Sequence, residues 1–130
     1  MIHVVCGVIE NAGGEFLACL RPAGKHLGGF WEFPGGKIDP GESPEVALAR
    51  ELHEELEVIV EVGAPLRPVD WDYAGRAIRL FPFRCKIVRG EPRAVEHEML
   101  RWCAPRDFDA LAWAAADIPV LAQITPRMAY

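Results

Sequence analysis

Residues 35–58 read GGKIDPGESPEVALARELHEELEV, a glycine-rich entry followed by a run crowded with carboxylates. Leu48, Leu52 and Leu56 recur at every fourth position with Ala49 beside them, so residues 43–56 are predicted to form a helix with one apolar stripe. Ser43 is placed to cap its N-terminus, and Pro44 suits the first helical position. At about 100° per residue, Glu51, Glu54 and Glu55 gather on the face flanking that stripe, because spacings of three and four bring side chains alongside. Like charges so spaced cost a few tenths of a kcal/mol per pair. A solvated acidic surface tolerates that cost, and a bound divalent cation offsets it.

The spacing favours the cation. Gly36, Glu42, Arg50, Glu51, Leu52, Glu54, Glu55 and Val58 fall in a pattern that resembles the signature of the Nudix hydrolases. That signature is a glycine, five residues, a glutamate, seven residues, then R-E-U-x-E-E-x-G-U with U a bulky aliphatic residue. One position departs from it: Glu57 stands where the family has the glycine that ends the helix in a left-handed turn. A glutamate there either accepts a positive φ or lets the helix end differently.

The bulk properties narrow the partners. A length of 130 residues suits one domain, residues 1–130, with a real core. The composition, 51% hydrophobic and 25% charged, is that of a soluble globular chain. No apolar run approaches a membrane span and no signal segment is visible, so no membrane partner and a cytoplasmic location are expected. The net charge of −5 argues against a nucleic-acid polymer. A small polyphosphate remains open to an acidic protein if metal ions carry the positive charge. Cys6, Cys19, Cys85 and Cys103 form no CxxC pair and read as buried reduced thiols, and the four histidines are scattered without zinc spacing.

Along the chain, residues 3–10 read as a strand entering a hairpin at Asn11-Ala12-Gly13-Gly14, with residues 15–20 as its partner. Residues 23–29 are a loop in which Lys25 and His26 either meet a phosphate or stay solvated. Phe30-Trp31-Glu32-Phe33-Pro34-Gly35-Gly36 is short and aromatic, and the carbonyl of Gly35 is a candidate hard oxygen ligand for magnesium or manganese. After the helix, residues 58–62, 69–73 and 77–88 read as a meander of antiparallel strands, with Pro82 marking a bulge or an edge. Residues 99–103 form a further strand; residues 105–111 and 119–124 are short helices opening on proline. Mixed strands with one central and one terminal helix predict an α/β (α+β) chain, an α/β/α sandwich around a mixed β-sheet.

The resemblance extends beyond the signature. Leu27 to Ser43, LGGFWEFPGGKIDPGES, is similar to the MutT-like branch, and a looser likeness continues to Ala116-Asp117-Ile118-Pro119. It implies a Mg2+-dependent pyrophosphohydrolase, with Mn2+ a possible substitute, that cleaves nucleoside triphosphates such as 8-oxo-dGTP to monophosphate and pyrophosphate. Alternatives are CTP or a 5-substituted dCTP, another diphosphate-linked substrate, or a silent nucleotide-binding domain. A monomer or a homodimer would serve. The resemblance further implies a metal set of Glu51, Glu54, Glu55 and Glu96 with the Gly35 carbonyl, Glu98 being the fallback for Glu96. The general base is left among Glu51, Glu54 and Glu96. Arg50 is expected to orient Glu42 or a neighbouring acid, and Arg21 and Lys25 to meet phosphates. Phe81, Phe83 and Trp113 are candidates to pack on the base. Asp117 occupies the base-recognising position, where the branch has an asparagine; an ionised aspartate only accepts hydrogen bonds. It is equally placed to cap the last helix.

Overall fold

The computed structural model, which describes residues 1–125, places strand β1 (Ile2–Ile9) inside a five-stranded mixed sheet. β1 lies between β4 (Gly35–Lys37), antiparallel, and β7 (Arg76–Arg89), parallel. β7 in turn pairs antiparallel with β5 (Ile59–Pro65) and β6 (Val69–Tyr73). A second, antiparallel sheet holds β2 (Phe16–Leu20) between β3 (Trp31–Glu32) and β8 (Met99–Cys103).

Strand alternation explains the layering. In β1, Val5 and Ile9 join the core under helix α1 (Pro44–Leu56), while Cys6 and Val8 join the opposite core. That second core is closed by the 3-10 turn Pro105–Ala110 and by α2 (Ile118–Ile124). Helices thus cover both sides, as expected, but the sheet between them is split in two.

Helix α1 follows its sequence pattern. Ser43 Oγ accepts the Val46 N–H at 3.2 Å. Leu48, Leu52 and Leu56 are fully buried, each worth about 1.5–3 kcal/mol of transfer from water. Gly7 of β1 lets the helix come close, since a Cβ there would meet Leu52 Cδ1 at 2.9 Å. Glu57 adopts the left-handed conformation at φ 58 and ψ 39 and donates its N–H to the His53 carbonyl. Of the two exits open to it, the strained one is taken, at a cost of about 1–2 kcal/mol that the leucine stripe outweighs.

Two expectations need correction. The turn at residues 11–14 forms, with Asn11 Oδ1 accepting from the N–H groups of Gly13 and Glu15, but β1 and β2 share only the bridge Glu10↔Phe16. Both edges of β1 are occupied by β4 and β7, so β2 pairs elsewhere. The meander is not sequential either. β6 and β7 form a hairpin through Ala74 and Gly75, both at positive φ, whereas β5 lies on the same edge of β7 further along. The pairing irregularity between Val62 and Pro65, with Leu66 N–H on the Pro82 carbonyl, sits next to the proline that marked it. Residues 105–110 form the short helix expected to open on Pro105, wound as a 3-10 helix.

Candidate active site

The acidic face of α1 meets β4. A Cβ at Gly36 would lie 2.5 Å from the Glu51 carboxyl, so a larger residue there would push that carboxyl from its place. Gly35 faces Cys6, between the ladder bonds made at Pro34 and Ile38. Its own N–H and carbonyl therefore point away from β1. The N–H reaches Glu55 Oε2 at 3.2 Å, and the carbonyl faces the same side, as its expected role as an oxygen ligand requires.

Arg50 ties the entry loop to the helix. Its Nε and Nη2 fork onto the two oxygens of Glu42 at 2.8 and 2.9 Å, and Nη1 reaches Glu51 at 3.0 Å. The guanidinium holds the Glu42 carboxyl down at about 2. Glu54 lies at the surface with a 3.4 Å contact to Arg50. The expected orienting pair, Arg50 and Glu42, is thus in contact.

Glu55 differs. It is buried, and desolvation, then the charges of Glu32, Glu51 and Glu96, push its carboxyl up to about 9. Glu51 is raised too, chiefly by burial, against the pull of Arg50. Glu55 opens on a cavity of about 350 Å³ lined by Arg21, Pro22, Lys25, Glu32, Glu96 and His97. Acids and cations share one space there. Glu96 lines it; the fallback Glu98 does not, its N–H being bonded to the Leu20 carbonyl.

Among the described residues, no three acidic, histidine or cysteine side chains already converge on one point as an ion's ligands would. The donor chemistry still fits a hard divalent cation. It is all oxygen, with an excess of carboxylates whose crowding a cation would relieve. Bringing Glu51, Glu55 and Glu96 onto one ion takes side-chain rotation.

Sequence reasoning missed Glu32 and His97. Glu32 receives Arg21 Nη1 at 3.1 Å and lies 3.0 Å from His97 Nε2. The available signal was a lone charge between Trp31 and Phe33, and it was too weak to single out. Arg21 is consequently not a free phosphate arm. Glu32 and the His26 carbonyl fix it as a wall of the cavity.

A neighbouring cavity of about 140 Å³ shares Arg21 and Glu32 with it and is lined by Gly35, Asp117, Tyr73 and Leu80 among others. Asp117 is buried and stands at the N-cap position of α2, but its side chain makes no capping bond there. Burial, then the charge of Glu32, pushes its carboxyl well above the usual range, opposed by the Phe33 N–H and Arg21. The aromatic candidates are corrected. Phe81 faces the α1 side of β7, edge-on to His3 at 5.3 Å, opposite to Leu80. Phe83 is in the same core. Trp113 is buried against Phe33 and Phe108 with Nε1–H on the Phe108 carbonyl. The four cysteines are free and buried, as expected. Among the described residues no helix is long and apolar enough to cross a membrane.

The fold has counterparts. The model of the NUDIX domain matches residues 5–123. The chain is 40% identical over 121 residues to the CTP pyrophosphohydrolase of Escherichia coli (strain K12), covering 93% of this chain and 89% of that protein. It is 30% identical over 123 residues to the 8-oxo-dGTP diphosphatase of the same organism, covering 95% of each. The crystal structure of the MutT NUDIX hydrolase from Burkholderia pseudomallei is similar to it at a TM-score of 0.87, with 32% identity over 95% of this chain and 98% of that one.

Proposed function

Because this chain belongs to the NUDIX domain family of hydrolases, we propose that it hydrolyses nucleoside triphosphates to the monophosphate and pyrophosphate. The observation that carries this reading is the shared cavity, which Glu55, Glu96 and Glu32 line together with Arg21 and Lys25. Acids alone would repel a triphosphate, and cations alone would not hold a metal; the two together suit a metal–polyphosphate complex.

Magnesium, or manganese in its place, would be held by Glu51, Glu55, Glu96 and the Gly35 carbonyl with Glu54 at the rim, supplying charge neutralisation and an acidified water. Arg21, fixed by Glu32, and Lys25 bind phosphate oxygens. One of Glu51, Glu54 and Glu96 takes the proton from the attacking water as a bridging P–O bond breaks. Arg50 keeps Glu42 and Glu51 in place. Asp117 faces the base in the adjoining cavity. Its raised pKa favours the neutral acid, which both donates and accepts as an amide does and so suits an 8-oxopurine. The likeness to a CTP pyrophosphohydrolase supports a second reading, in which an ionised Asp117 accepts from the amine of cytosine.

Pyrophosphate release with magnesium tests this over 8-oxo-dGTP, dGTP, CTP, a 5-substituted dCTP, a nucleotide sugar and a dinucleoside polyphosphate. The expected products are monophosphate and pyrophosphate from at least one triphosphate. Cleavage of none of the triphosphates contradicts the proposal.

A further inference from the structure

His97 has no part in the chemistry just described, yet its side chain is only 5% exposed and its Nδ1 is buried without a partner. A buried imidazole left half-satisfied costs about 1–3 kcal/mol, so its other bond carries weight. That bond joins Nε2 to Glu32 Oε2 at 3.0 Å. An ionised carboxylate only accepts, so the histidine donates. The same carboxylate grips Arg21.

The segment around His97 hangs between two fixed elements. Arg93 N–H bonds the Leu56 carbonyl and Val95 N–H the Glu55 carbonyl at the end of α1, while Glu98 N–H bonds the Leu20 carbonyl of β2. Residues 96 and 97 form the span between these anchors. Glu96 is exposed on it, and His97 points inward.

We infer that His97 is a positioning residue: by donating to Glu32 it pins the span that carries Glu96 at the mouth of the acid cavity, on the same carboxylate that fixes Arg21. The inference rests on the reading of Glu96 as a metal-site carboxylate. Partners that orient ligands in this way typically change metal affinity by about 10–100-fold when removed.

Mn2+ binding to the full chain, measured by electron paramagnetic resonance without substrate, tests it alongside thermal unfolding. His97→Asn and His97→Gln both place an amide in the buried slot, but the Gln nitrogen reaches as far as Nε2 and the Asn nitrogen does not. We expect His97→Asn to bind Mn2+ about tenfold more weakly, His97→Gln to recover most of the affinity, and Glu96→Gln to be weakened at least as much as His97→Asn. A purely structural histidine would lower the unfolding temperature of both His97 variants and leave Mn2+ affinity unmoved. Wild-type affinity in folded His97→Asn beside a weakened Glu96→Gln overturns the inference alone. Wild-type affinity in Glu96→Gln overturns the reading of Glu96 and the inference with it.

Discussion

Glu42 and Glu55 lie on one stretch of chain and end in opposite electrostatic states. Glu42 is met by the Arg50 fork and held at about 2. Glu55 is buried among Glu32, Glu51 and Glu96, with one backbone N–H for company, and pushed up to about 9. The first carboxylate is neutralised by its own chain and so serves structure. The second lacks a countercharge from its own chain, which is the ground for proposing that it meets a cation.

The largest test of this contrast removes the unmatched charge. Glu55→Gln keeps the shape and an oxygen acceptor; turnover with magnesium should fall by more than about 100-fold, with the fold intact by circular dichroism. Full activity in that variant would erase the distinction. Arg50→Lys attacks the matched side. A lysine cannot fork onto Glu42 while reaching Glu51, and activity should fall by about 10–100-fold, with a rise in the magnesium concentration needed for half-maximal rate.

The pH dependence sharpens the same comparison. Glu55 titrates near 4.5 when free and at about 9 in the folded, metal-free chain, so between those values the folded state holds a proton that the unfolded state has lost. Stability in EDTA should therefore rise as pH falls from 9 toward 5, and the slope should flatten in Glu55→Gln or with saturating Mn2+, as read by thermal melts. Glu42 acts in the opposite sense, since its contribution is present above about 4.5 and is lost as pH falls from there through about 2. The smallest effect lies at the helix exit. Glu57→Gly relieves the left-handed strain while loosening the unfolded chain, a net gain of up to about 1 kcal/mol in denaturant unfolding. Loss of the exposed Arg93–Glu57 contact should cost little.

The same contrast divides what the sequence could reveal. Local periodicity carried α1, its Ser43 cap and the gathering of Glu51 and Glu55, because spacing along a helix fixes which side chains meet. Strands β6 and β8 appear where their residue types placed them. Sheet membership is a long-range choice, so β1 and β2 read as hairpin partners although each finds others. Glu32 and His97 escaped for the same reason: they stand 65 positions apart and acquire meaning only when the small sheet brings them together. Phe81 was misplaced because alternation gives two faces without saying which one borders the site.

Glu51 and Glu55 are thus proposed to stand in readiness for a divalent cation. Crystals soaked in Mn2+ and measured at the manganese absorption edge test this most directly. An anomalous peak is expected within coordination distance of both carboxylates and of the Gly35 carbonyl. A clean map at that position, in crystals that bind manganese nowhere on the acidic face of α1, would contradict it.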